Sequence, residues 1–150
     1  MAQGVEPAFP ENGNMGLNRS KTSRTVLIVE DMGPCATTLE IAFLAIPDIA
    51  ISIASSGQEA LELLRGAEGG KVCALVTDLN MSRVDGFELI EQVRADQRHG
   101  RLPVIVVSGD TDPHTPERLH RLGADAYFVK PYSPAQVRQK LEELINASPW

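Results

Sequence analysis

A chain of 150 residues with 43% hydrophobic and 23% charged content has the balance of an ordinary globular protein of one domain. Its formal charge of −6 lacks the basic footprint that releases counterions from a phosphate backbone, which excludes direct nucleic-acid binding. No apolar run approaches the roughly 18 residues that span a bilayer, and the N-terminus lacks a signal-peptide pattern, so no membrane insertion and a cytoplasmic location are expected.

Residues 1–24, MAQGVEPAFPENGNMGLNRSKTSR, combine Gly, Pro, Asn and Ser with little apolar content, the composition of a disordered lead. Glu6 and Glu11 there stand against Arg19, Lys21 and Arg24, so the remainder holds 18 acids and 11 bases, a net of −7. The acidity belongs to the folded part, which is expected over residues 25–146 and leaves a short tail at 147–150.

From Thr25 onward two periodicities alternate. TVLIVE, AISIAS, CALVTD, PVIVVS and AYFVK are short apolar or β-branched runs that read as strands, with amphipathic stretches between them. Ser56 and Glu59 form a capping-box pattern before ALELL, and Ser133, Pro134 and Gln136 form another before VRQKLEELI. Thr115 and Pro116 open a third helix that Gly123 closes. Asp85 before Gly86 is turn or helix-start chemistry, not a site carboxylate. Cys35 and Cys73 are expected as reduced packing residues. His99, His114 and His120 are expected to be solvated, and the charged run from Arg94 to Arg101 to be a solvated helix end.

Runs such as LIV and VIVV are continuously apolar and imply strands buried on both faces, hence a parallel sheet with helices on either side. The expected fold is a five-stranded doubly wound α/β domain, in which ligands bind outside the carboxyl ends of the strands. Glu30 and Asp31 end the first strand, Asp78 the third, Ser108 the fourth and Lys130 the fifth. Three converging carboxylates repel one another unless a cation neutralises them, and oxygen ligands with room for water suit a hard divalent ion, Mg²⁺. Lys130 and the Ser108 hydroxyl supply donors for phosphoryl oxygens, and Asp78, central among the acids, is the nucleophile to expect.

EDM after the first strand, DLNM with DGFEL, SG after VIVV, and AYFVKP stand in order and at family spacing. Together they resemble the receiver domain of bacterial response regulators, a stand-alone chemotaxis-type receiver. The resemblance implies a flavodoxin-like (βα)5 fold with strand order 2-1-3-4-5. It implies that Asp78 accepts a phosphoryl group from the phosphohistidine of a sensor kinase or a histidine phosphotransfer protein. Asp31 then binds Mg²⁺ directly, with Mn²⁺ as a substitute, Glu30 through water, and Asn80 through its backbone carbonyl. Lys130 contacts the phosphoryl group, Ser108 moves to hydrogen-bond it, and Tyr127, three residues before the lysine, is the aromatic switch. Its partner face is helix four, strand five and helix five. Such a protein is a phosphoacceptor in two-component signal transduction, catalysing its own phosphotransfer and dephosphorylation and no other reaction. Ser82 departs from the pattern, which commonly has proline there, and Asn80 and Asp110 occupy positions that influence phosphate loss.

Rival classes fit less well. A flavodoxin would place hydroxyls and amides, not carboxylates, after its first strand. A phosphatase of the haloacid dehalogenase type resembles a DxD motif, and Asn80 holds the second acidic position. A phosphorylation-independent docking module on the same fold is the alternative that the residues leave open.

Overall fold

The structure, a computed structural model, describes residues 24–81 and 83–147. The disordered lead expected over residues 1–24, save Arg24, therefore lies outside the described residues, as do the Ser82 departure and positions 148–150 of the tail.

Among the described residues five strands and five helices alternate: β1 Thr25–Val29, α1 Gly33–Phe43, β2 Ala50–Ala54, α2 Gly57–Arg65, β3 Val72–Thr77, α3 Gly86–Ala95, β4 Val104–Ser108, α4 Thr115–Leu122, β5 Ala126–Val129 and α5 Pro134–Ala147. A 3-10 helix over Ala67–Lys71 leads into β3. All pairings are parallel and the sheet order is β2-β1-β3-β4-β5. This is the doubly wound arrangement expected.

The sheet splits the core into two layers because alternate side chains of each strand point to opposite faces. Leu27, Val29, Leu75, Val104 and Val106 pack with α2, α3 and α4 residues such as Leu64, Leu89, Ile90 and Leu119. Val26, Ile28, Ala74, Val76, Ile105 and Val107 pack on the other face with Leu39 and Phe43 of α1 and with Val137, Leu141 and Ile145 of α5. Every residue of β3 is buried, as a central strand covered on both faces requires.

Helix punctuation follows the side chains. Asp85 caps α3 by accepting from the Glu88 amide at 2.9 Å, so it belongs to the helix start as expected. Ser56 accepts from the Glu59 amide at 3.1 Å, but the Glu59 carboxylate turns back to the amide and hydroxyl of Ser55, one residue before the expected partner. Ser133 accepts from the Gln136 amide at 3.2 Å. Gly123 ends α4 at φ 93°, a left-handed geometry that glycine adopts without strain.

Two expectations are corrected. His99 is not solvated: it is 4% exposed, and its Nε2 lies 2.9 Å from the carbonyl of Gly69, which fixes that nitrogen as the donor. The Arg94–Arg101 run is not a uniformly solvated helix end either, because Arg94 turns inward. Its guanidinium donates to the carbonyls of Gly100, Leu102 and Gly123 and pairs with Asp125 at 3.3 Å. Carbonyls from two loops converge there, and among the described residues no loop amide donates to them, so the guanidinium satisfies them. His114 and His120 are exposed, Cys73 is buried, Cys35 is half-buried, and both thiols are free.

Candidate functional site

The carboxyl ends of β1, β3, β4 and β5 meet at one edge of the sheet. Parallel pairing makes this unavoidable, since Val29 pairs Thr77 and Ser108 pairs Val129, leaving Glu30, Asp78 and Lys130 one step beyond the paired rows. The Asp78 amide donates back to the Val29 carbonyl at 3.1 Å, and the Lys130 amide to the Ser108 carbonyl at 2.8 Å, so the backbone carries order slightly past the strands.

Glu30, Asp31 and Asp78 each bring a carboxylate oxygen within 4.8 Å of the others. Glu30 (2% exposed) and Asp78 (5%) are buried, whereas Asp31 stands exposed at the mouth. Lys130 Nζ bridges the two buried acids, at 3.2 Å from Glu30 Oε1 and 3.4 Å from Asp78 Oδ2. Asp78 Oδ1 is held from behind by the Leu79 amide at 2.7 Å, and the Asn80 amide approaches it at 3.5 Å. One oxygen of Asp78 is thus anchored and the other faces the lysine.

Charge at the site is unbalanced. Three carboxylates face one ammonium, a net of −2 when all are ionised. Burial raises the Glu30 pKa and the neighbouring Asp78 charge adds to it, with Lys130 opposing. Burial pulls Lys130 down, but Asp78 and Glu30 outweigh it and hold the ammonium charged. Hard oxygen donors, residual negative charge and an exposed rim form a donor set that fits one divalent cation.

At the end of β4, Ser108 is wholly buried and its Oγ accepts from the Asp110 amide at 3.2 Å; among the described residues its own proton has no acceptor. Tyr127 donates its hydroxyl to the Asp110 carbonyl at 3.2 Å, and its ring packs against the α2/α3/α4 layer. Burial and then the charges of Asp110 and Asp78 raise its pKa.

A family description, response regulator receiver domain, matches residues 26–142. The chain belongs to the response regulator receiver family. A chemotaxis protein CheY homolog of Campylobacter jejuni subsp. jejuni is 29% identical to this receiver over 121 residues, 81% of this chain and 92% of that one. The solved response regulator receiver protein of Pseudomonas putida is 30% identical, with a TM-score of 0.67 over 83% of this chain and 97% of that one. The receiver domain of Francisella response regulator 1452 has a TM-score of 0.74 at 24% identity, covering 84% and 99%, and shows the shared fold. Membership places the receiver in two-component signalling, among signalling proteins and not classic enzymes.

The structure brings together all the acids and the lysine expected at this receiver's site, with Ser108 and Tyr127 on the adjoining strands; Asn80 is exposed on the rim. Residues that sequence reasoning passed over are those acting through the backbone. The amides of Leu79 and Met32 hold Asp78 and Glu30, the latter at 3.4 Å, and an amide leaves no mark in a residue code. Thr115, a helix start by its sequence position, is buried and its hydroxyl donates to Asp110 Oδ2 at 2.9 Å, tying the first turn of α4 to the loop after Ser108.

Proposed function

We propose that this receiver takes a phosphoryl group on Asp78 in the presence of Mg²⁺, from the phosphohistidine of a sensor kinase or phosphotransfer protein, and thereby alters its surface for a downstream partner. The observation that carries this reading is the Lys130 bridge between Glu30 and Asp78 beside the exposed Asp31. The Asp78 carboxylate is buried with one oxygen toward Lys130, beside a second buried acid and an exposed third.

Asp31, Asp78 and the backbone carbonyl of Asn80 would hold the metal directly, and Glu30 through water. Mg²⁺ supplies the positive charge that lets a phosphoryl group approach three carboxylates. The carboxylate of Asp78 attacks phosphorus in line and the new P–O bond forms as the donor's P–N bond breaks; the P–N electron pair stays on nitrogen, and the donor, protonated on its other ring nitrogen, leaves as neutral imidazole. Lys130 exchanges one carboxylate contact for a phosphoryl oxygen. The hydroxyl of Ser108 donates its free proton to another, and Tyr127 follows the movement of the loop that holds Asp110. Loss of the carboxylate's negative charge and gain of the phosphoryl charge then bias two arrangements of the α4, β5 and α5 face. A cytoplasmic location and a folded unit of residues 25–146 belong to the same reading.

The test is intact mass spectrometry after incubation with a small-molecule acyl phosphate. One phosphate is expected on the native protein with Mg²⁺, and none with chelator or in Asp78→Asn. A folded native protein that gains none defeats the phosphoacceptor reading and leaves a docking module on the receiver fold.

A further inference from the structure

The sheet has two edges, and only one is guarded. β5 is four residues long and bracketed by Asp125 and Lys130, charges of the kind that discourage pairing with another strand. β2 reads AISIA between Ile49 and Ser55 and has no charge or proline in or beside it. In a parallel pair, successive residues aim their backbone groups alternately toward and away from the neighbour. The Ala50 amide donates to Arg24 at 2.9 Å and the Ala54 carbonyl accepts from Glu30 at 3.0 Å, so the even-numbered residues of β2 face β1. The N–H and C=O of Ile51 and Ile53 point to the open edge, and among the described residues no group pairs with them. At the next outward position the Ser55 amide is taken by Glu59 Oε1 at 2.8 Å, which closes the C-terminal end of the open stretch.

We propose that this edge is an interface for a second copy of the chain, the two β2 strands pairing antiparallel about a twofold axis at Ser52. Ile51 of one copy exchanges both backbone bonds with Ile53 of the other, and the reverse pair does the same, giving four bonds from two residues per copy. The donor and acceptor pattern is self-complementary because positions 51 and 53 are symmetric about 52, as an isologous interface requires. Ile51 and Ile53 share one face of the sheet, and Ile53, 40% exposed, gains cover from the facing Ile51. Charge limits where a second copy can approach. With a net of −7 over residues 25–150, two copies repel on most approaches, and the uncharged edge is where contact costs least. Antiparallel pairing also sends the two acidic sites to opposite ends of a ten-stranded sheet. Asp48 and Glu59, the acids nearest the two ends of β2 in sequence, are brought toward each other across the pair, so salt strengthens association. None of this depends on phosphorylation.

Sedimentation equilibrium of the full chain tests it. The mass is expected to rise from 16.3 kDa toward twice that value with concentration, further at high salt than at low. At the twofold axis the two Ser52 residues form a non-hydrogen-bonded pair with Cα atoms about 4.5 Å apart, within disulfide reach. Oxidised Ser52→Cys is therefore expected to yield a dimer whose disulfide maps to the substituted position in both copies. Ala50→Cys, about 14 Å from its mate by strand rise, is not. Ile53→Asp is expected to return the mass to monomer with an unchanged circular dichroism spectrum. A chain that stays monomeric throughout and gives no Ser52→Cys disulfide overturns the proposal. So does a dimer that links equally through Ala50→Cys.

Discussion

Glu30 is an acid whose surroundings work against its charge. Its folded-state pKa is raised by burial and by Asp78, so in that range the folded protein holds more protons than the unfolded chain. Stability therefore falls as pH rises from the ordinary glutamate value of 4.5 through the raised one. Glu30→Gln removes this cost. Without metal, its thermal midpoint is expected above that of the native protein at neutral pH, with the difference vanishing as the pH drops below the ordinary range. Arg83 is a second residue held against its preference, at φ 67° in the loop that follows Asp78. A left-handed backbone costs most residues about 1–2 kcal/mol, and asparagine bears it better. Arg83→Asn is expected to raise the urea midpoint, by up to about 1 kcal/mol in stability.

At the scale of elements, the contact between the start of α3 and the end of β3 sets where Asp78 sits. A Cβ on Gly86 would collide with the Asp78 carbonyl and lie 2.8 Å from Leu79 Cα. Alanine in a helix is ordinarily better than glycine by up to about 1 kcal/mol, but here the collision is with backbone. Gly86→Ala is expected to reverse that sign, destabilising by about 1–3 kcal/mol in denaturant melts and lowering phosphate uptake at Asp78. The strands and the acidic cluster were legible in the chain because they follow from local pattern: five apolar runs, each ending on a polar residue, leave few ways to build a sheet. The turn of Glu59 onto Ser55 was not, since two adjacent serines offer the same chemistry and only the backbone path decides between them.

Across the whole molecule, Arg94 holds the end opposite the acidic site. It joins the end of α3 to the loop before β4 and to the cap of α4, while Asp125 also accepts from the first amide of β4 at 2.8 Å. Arg94→Met preserves much of the stem and strands carbonyls from both loops, and an expected loss of about 2–3 kcal/mol would appear as a lower urea midpoint. Distant carbonyls account for the inward turn of Arg94 and, separately, for the burial of His99. A local stretch of basic residues resembles a wet helix end until the Gly123 carbonyl 29 positions from Arg94, or the Gly69 carbonyl 30 from His99, is brought against it. Long-range partners of this kind have no periodicity for a sequence to display.

The chain has two tyrosines, and both stand beside the site lysine: Tyr127 three residues before Lys130 and Tyr132 two after it. One reaches the loop that carries Asp110; the other is packed in the layer formed with α1 and α5. Grown with fluorotyrosine, the protein carries two fluorine nuclei and no others, one on each face of the sheet. A single spectrum can then follow the loop and the opposite layer separately, in real time, without any label placed on the surface.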